Sequence, residues 1–302
     1  PRSPSLHTPL FPIVEDAQAS LVNGTLYVVA TPIGNVADIS LRALAVLARA
    51  DLICAEDTRV TGQLLTRYGI QSKLVSVREH NERAMADKVC NWLAEGQLVA
   101  QVSDAGTPAV SDPGARLVAA VRAAGHPVCA IPGACAAVTA LAASGVTTAE
   151  WLFHGFLPPK RGARCKQLEN WRDAHYAVVL YEAPHRVAEC AADIAATLGE
   201  SRLVTLAREL TKTFETVRTL PAGELAQWIA SDSNQQRGEC VLIIDAAAPS
   251  AAETAIDAQA EHTLRVLLAE LPPKQAAKLA ATLTGAPRDA LYQLAVSLRH
   301  SE

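Results

Sequence analysis

The sequence predicts an α/β protein with two α/β domains and a small, wholly helical tail. Three observations carry that prediction. Short β-rich runs alternate with Ala/Leu-rich helical patterns over residues 26–145. A second stretch, to about residue 247, mixes strand and helix patterns. Beyond it no strand pattern recurs. Repeated strand–helix units make an open, mostly parallel sheet covered on both faces.

The units follow in order. "LYVVA" (26–30) precedes a helix over 40–50, and "LICA" (52–55) a helix around 61–68. "KLVSV" (73–77) precedes a helix at 82–96, and "QLVAQV" (97–102) one at 113–125. "PVCAI" (127–131) precedes a helix at 134–145. In "SDPG" Asp112 suits a helix cap and Pro113 a first helical turn. "GVTTAE" (145–150) is the expected hinge. It divides residues 22–146, an N-terminal α/β domain, from 147–247, a C-terminal one. Residues 248–302 are a linker, "AAAPSAAET", and a helical tail. In that tail Ala281, Gly285 and Leu291 have helix-turn-helix spacing, with Arg288, Tyr292 and Arg299 on the second helix. Residues 1–21 lack the basic and apolar regions of a signal peptide and are expected to be a disordered extension.

Composition excludes several classes. No stretch of the 302 residues reaches the ~20 unbroken apolar residues of a membrane span. The seven cysteines are scattered without a C-x-x-C pair, so neither a zinc site nor a disulfide framework is indicated, and a reducing cytoplasm is the expected location. A net charge of −4 argues against a surface built for nonspecific nucleic-acid binding. Any RNA partner must be met by a local patch.

Ligands of open parallel sheets bind beyond the carboxyl ends of the strands. Here those ends read "ATPIGN", "AEDTR", "REHN", "SDAGTPAVSDPG" and "PGACAAV". The first has Gly34 alone where a dinucleotide site would carry G-x-G-x-x-G, and no P-loop, G-x-S-x-G elbow or metal-ligand cluster occurs. Pyrophosphate chemistry is therefore disfavoured. A phosphate-free, nucleoside-like ligand held by Gly/Pro loops fits better. Glu56, Asp57, Arg59, His80 and Asn81 crowd the neighbouring strand ends.

"TPIGN…DISLRAL", "AEDTR", "HNE", "VSDAGTPAVSDPG", "PGACAAVTALAASG", "FHGFLPPK", "YEAPHRV", "LARELTKTFE" and "GECVLII" together resemble, in order, the small-subunit ribosomal RNA 2′-O-methyltransferase I family, a branch of the tetrapyrrole methylase class. The likeness spans about residues 24–300. It implies S-adenosylmethionine (SAM) as donor, a donor cleft between two α/β domains, a homodimer, and methylation of a ribose 2′-hydroxyl on a decoding-centre cytidine of 16S rRNA. By the same resemblance the donor touches Ile33, Ser103, Asp104, Thr107, Cys135 and Ala136, and Glu182 and Leu210 close the site from the second domain. Ala30 and Ala134 stand where family members often have proline.

A ribose hydroxyl needs a base or strong acceptor as its proton leaves. Glu56 and Asp57 are the first candidates and His80 the second. The competing reading of Glu56 is an ion pair with Arg59 or Arg78, and that of His80 a helix cap. "PPKRGARCK" is expected to be a mobile basic loop whose Lys160, Arg161, Arg164 and Lys166 meet RNA phosphates, with Arg208 and Lys212 nearby. The alternative substrate is a small, tetrapyrrole-like molecule at the same donor site.

Overall fold

The computed structural model describes residues 10–78, 81–248 and 256–300. Five short strands, β1 (Leu26–Val29), β2 (Leu52–Ala55), β3 (Leu74–Ser76), β4 (Val99–Gln101) and β5 (Val128–Ile131), form one parallel sheet in the order β3-β2-β4-β1-β5. The strands are apolar without alternation because both faces are covered. Tyr27, Val29, Ile53, Ala55 and Ala100 pack on one side with Ala43, Val46 and Leu47 of α2 (Leu41–Arg49) and Leu65 of α3 (Thr58–Arg67). Leu26, Leu52, Cys54 and Val99 point the other way. They meet Met85, Val89 and Leu93 of α4 (Glu82–Ala94) and Leu117 and Val121 of α5 (Ala115–Ala123).

β1 and β4 are adjacent although two strands separate them in sequence, so their two exit loops leave side by side. A two-way backbone bridge ties those loops, with Thr31 N–H donating to Gly106 O (2.9 Å) and Gly106 N–H to Thr31 O (3.0 Å). α6 (Ala136–Ser144) follows β5 and ends at Gly145, whose φ of 77° is the left-handed region that glycine tolerates.

The second sheet runs β6-β7-β10-β8-β9, from β6 (Trp151–Phe156), β7 (Ala177–Glu182), β8 (Leu203–Arg208), β9 (Thr216–Pro221) and β10 (Cys240–Ile244). β6 and β7 are parallel and the remaining pairs antiparallel. One face carries α7 (Arg161–Glu169), α8 (Val187–Leu198) and α9 (Ala222–Ser231) over Val178, Leu180, Leu206 and Leu242. The opposite face, Ala177, Val179, Ala207, Val241 and Ile243, is covered by Ala137 and Ala140 of α6, with Ile33. α6 and Ile33 of the first lobe thus share a core with the second sheet, and residues to Asp245 form one compact unit.

Residues from Ala246 form a second unit. Its helices α10 (Ala258–Glu270), α11 (Pro273–Thr284) and α12 (Arg288–His300) bury Leu264, Ala276, Ala280, Leu291 and Ala295 against one another. α11 ends at Gly285 in the left-handed region, its N–H on Ala281 O, and Leu291 is fully buried.

Three expectations need correction. Residues 1–21 were expected to be disordered, but Leu10–Ala19 form a helix, α1, against α2; residues 1–9 lie outside those described. In the "PPKRGARCK" segment only residues 158–160 are outside a helix; from Arg161 it is the start of α7. Arg164 and Leu168, one turn apart, are its buried face, and a buried arginine inverts the polarity pattern that signals a helix. Asp112 does not cap α5. The cap position is Gly114, and Glu82 of α4, 3 % exposed, reaches across to accept the Gly114 and Leu117 N–H groups, both at 3.0 Å. An anionic acceptor suits the positive end of a helix.

Glu82→Ala should therefore lower stability by about 2–3 kcal/mol, because two buried N–H groups lose their acceptor. Urea unfolding checks this, and a loss below about 0.5 kcal/mol would show that the two amides find other partners.

Candidate active site

The exit loops of the first sheet face the α6-covered side of the second and leave a cleft of about 420 Å³. That volume lies within the range of small-molecule sites. Ile33, Asp104, Gly106, Thr107, Cys135 and Ala136 line it from the first lobe, and Phe156, Tyr181, Glu182, Ala183 and Val241 from the second. Among the described lining residues there are carboxylates, Glu56, Asp104, Asp112, Glu182 and Glu239, but no Lys or Arg.

Each wall is fixed by hydrogen bonds. Thr31 Oγ1 donates to Ser103 O (3.1 Å), and Thr107 Oγ1 to Ala134 O (2.9 Å). Tyr181 Oη accepts the Ala137 N–H at 3.2 Å, capping α6 from the opposite sheet. Burial holds the Tyr181 phenol protonated. Gly34 has no phosphate role. A Cβ there would stand 2.6 Å from Lys212 Cγ and 2.8 Å from Leu210 O, and the next residue, Asn35, donates its N–H to Thr211 Oγ1 (2.9 Å). The glycine lets the loop after β1 press against the loop after β8. Ala30 faces Gly133 similarly: an ideal Cβ on that glycine would lie 2.7 Å from the Ala30 side chain.

Among the described residues, four non-glycine residues have positive φ: Ala109 and Ser111 in the loop after β4, and Glu209 and Thr211 in the loop after β8. The loop after β4 lines the cleft. Backbone held in sparsely populated regions costs roughly 1–3 kcal/mol each and persists where the surroundings over-determine it. Glu209 is so determined: its carboxylate accepts from Lys212 Nζ (2.8 Å) and the Glu239 N–H (3.0 Å).

An outer pocket of about 570 Å³ adjoins the cleft. It shares Glu56, Asp104, Ser111 and Asp112 with it and adds Asp57, Arg59, Arg78 and Pro113. The shared carboxylates differ in their duties. Asp57 caps α3 and takes a fork from Arg59, with Nε to Oδ1 at 3.1 Å and Nη2 to Oδ2 at 2.6 Å. Those bonds hold its carboxyl well below the usual range. Asp104 Oδ1 accepts the Asp57 N–H at 3.0 Å and locks the loops after β2 and β4 together. Glu56 has no ion pair among the described residues; Arg78 Nε donates instead to its backbone carbonyl (3.2 Å). Burial, then the charges of Asp104 and Asp112, raise the Glu56 carboxyl. Burial and Asp104 likewise raise Asp112.

Most of the expected donor residues converge: Ile33, Asp104, Thr107, Cys135, Ala136 and Glu182 all line the cleft. Ser103 and Leu210 do not. Ser103 is buried beneath its own turn, its hydroxyl on Gly106 O (3.2 Å), and Leu210 packs behind Ile33. Glu182 has little free capacity, since Arg186 and the Ala183 N–H engage its oxygens. Of the expected bases, Asp57 is consumed as a cap and His80 lies outside the described residues; the residue before α4 is Asn81. The expected RNA contacts need the largest correction. Arg164, 1 % exposed, is paired with Asp193, which also binds the exposed Arg161. Arg208 is buried on Arg237 O and Phe214 O, and Lys212 is bonded to Glu209 and Glu239. Lys160 and Lys166 are exposed. Asp112, Tyr181 and Glu239 were missed. Asp112 was hidden by its cap-like "SDPG" setting, and nothing in sequence marks the other two.

Residues 25–226 match the Tetrapyrrole (Corrin/Porphyrin) Methylases family, and residues 254–299 the RsmI C-terminal HTH domain. Among curated relatives, the ribosomal RNA small subunit methyltransferase I of Neisseria meningitidis serogroup A is 54 % identical over 95 % of this chain and 98 % of its own. The proteins of that name from Pseudomonas aeruginosa and Escherichia coli O157:H7 are each 48 % identical over 90 % of this chain and 97 % and 95 % of theirs. Among solved structures, the cobalt precorrin-4 methyltransferase CbiF superposes with a TM-score of 0.55 at 14 % identity, covering 74 % of this chain and 95 % of that one. The last comparison shows a shared fold.

The raised carboxyls set a pH dependence. A carboxyl whose folded value exceeds its unfolded one binds more protons when folded, so stability falls as pH rises through that window, and the penalty is complete above it. Asp112→Asn should therefore be more stable than the parent at pH 7, with the gain disappearing in acid. Thermal melts at pH 4 and pH 7 check this, and a variant less stable at pH 7 would mean that ionised Asp112 is a structural anchor.

Proposed function

The chain belongs to the tetrapyrrole methylase family, and from that premise we propose that it transfers a methyl group from SAM to the ribose 2′-hydroxyl of a decoding-centre cytidine in 16S rRNA of the small ribosomal subunit. The relatives at 48–54 % identity, with nearly complete coverage, support the rRNA substrate. The observation that carries the donor assignment is the cleft's chemistry. It is lined by carboxylates and small apolar groups, with no Lys or Arg among its described residues. Such a lining disfavours phosphates and suits a cationic, phosphate-free adenosine compound.

Bound there, the donor supplies an electrophilic methyl group on a positively charged sulfur. Ile33, Thr107, Cys135, Ala136 and Val241 would enclose it, and Asp104 and Glu182 border the polar side. The sulfur's charge disappears during transfer, so a carboxylate pressed on it would favour the ground state over the transition state. The apolar stretch of lining avoids that loss. Alignment within a shaped, dry site then supplies much of the rate.

Glu56 is the proposed proton acceptor. It borders both pockets, its oxygens have no ion pair among the described residues, and its raised value brings it closer to working pH. Asp57 cannot share this role because its oxygens are committed to Arg59.

Small subunits from cells lacking this protein, incubated with it and labelled SAM, should gain one ribose methylation, mapped by its resistance to alkaline cleavage. Glu56→Gln should lower kcat by about 10²–10⁴-fold, the usual worth of a general base, while donor affinity by calorimetry stays unchanged. Label on uroporphyrinogen and none on rRNA would contradict the proposal.

A further inference from the structure

The outer pocket poses an electrostatic problem for the substrate just proposed. A ribose cannot approach Glu56 without its two flanking phosphodiesters, and Glu56, Asp57, Asp104 and Asp112 all face that space. Each would repel a phosphate over a Debye length of about 8 Å at physiological salt. Among the described lining residues the cations are Arg59 and Arg78. The basic residues expected to serve RNA do not line this pocket, and Arg164 and Arg208 are buried.

The two arginines are built for an external anion. The Arg59 side chain is 82 % exposed, yet it is not free to swing: its Nε and Nη2 lie on the two oxygens of Asp57, and its own N–H donates to Oδ1 at 2.8 Å. One edge of the guanidinium is thus fixed to the protein, and the Nη1 side has no partner among the described residues. Among the described residues the Arg78 side chain is held through Nε, on Glu56 O, which leaves both of its Nη groups. Arg59, in the first turn of α3, follows β2 and Arg78 follows β3, and these strands are paired neighbours at the sheet edge, so both arginines stand beside the acceptor carboxylate. Planar forks with a free edge bind phosphate in two-point fashion, which an ammonium cannot do.

We propose that Arg59 and Arg78 form a phosphate clamp that grips the RNA backbone on either side of the target ribose and draws it into an otherwise acidic pocket beside Glu56. Asp57 is the positioning residue that aims Arg59. This inference rests on the rRNA reading and adds residues to it. It moves the principal RNA contact from the second lobe to the mouth of the first.

The test compares the parent protein with Arg59→Gln, Arg78→Gln and Arg59→Lys. Three quantities are measured: affinity for unmethylated small subunits at several salt concentrations with S-adenosylhomocysteine present, kcat, and the affinity for SAM alone. Each Gln variant should weaken subunit binding about five- to tenfold and reduce the slope of log affinity against log salt by about 0.7–1, the mark of one lost phosphate contact. SAM affinity should not change, which also shows that the variants are folded. Arg59→Lys should keep the slope and lose less affinity. Unchanged subunit affinity and slope in both Gln variants would overturn the clamp, as would a parallel fall in SAM affinity. A parent protein that methylates no subunit would instead overturn the rRNA reading itself.

Discussion

The site depends on how one helix lies on the wrong sheet. α6 belongs by sequence to the first lobe, but Ala137 and Ala140 rest on Ala177, Val179, Ala207, Val241 and Ile243 of the second. Small side chains on both sides let helix and sheet approach closely, and close packing leaves no tolerance for an added methylene. Hydrogen bonds pin both ends: the Ala137 N–H donates to Tyr181 Oη at the cleft, and Thr219 Oγ1 donates to Ser144 O (3.1 Å) at the far end. With α6 fixed, the loops after β1, β4 and β5 open toward the end of β7 and the start of β10. The cleft is the space that remains. The contact of Gly34 with the loop after β8 ties the first lobe to the second.

Electrostatics then divides the space by function. The inner cleft lacks cations among its described residues, and the outer pocket has two, both guanidinium groups and both anchored. Glu56, Asp104 and Asp112 lie on the boundary, where burial and the charge of Asp104 raise the carboxyls of Glu56 and Asp112. Such mutual repulsion in a folded protein opposes stability. It is the kind of cost that catalytic sites carry when function needs a carboxylate near neutral pH. Asp57, one residue from Glu56, shows the opposite outcome. Its oxygens are satisfied by a helix terminus and an arginine, so it serves architecture.

The first sheet was legible because its parallel strands are largely apolar runs and most of its helices are amphipathic, signals that depend only on local burial. The helix-turn-helix spacing of Ala281, Gly285 and Leu291 was legible for the same reason. The loops that line the cleft could be located because a crevice at the strand ends is a consequence of topology. What sequence could not carry was the partner of each polar group. Arg164 looks like a phosphate ligand until Asp193, 29 residues later, proves to be its counter-ion. Asp112 looks like a cap until Glu82 proves to hold that position from another helix. Arg208 has the charge expected of an RNA contact, and only the fold reveals that it supports the backbone of its own loop.

The claim on which the account rests is that the cleft between the α6-bearing lobe and the second sheet holds the donor. Crystals grown with S-adenosylhomocysteine test it most directly. The account predicts electron density for the adenosine between Ile33, Thr107 and Ala136 on one side and Val241 on the other. Density at another place on the molecule, or none in this cleft at saturating ligand, would contradict it.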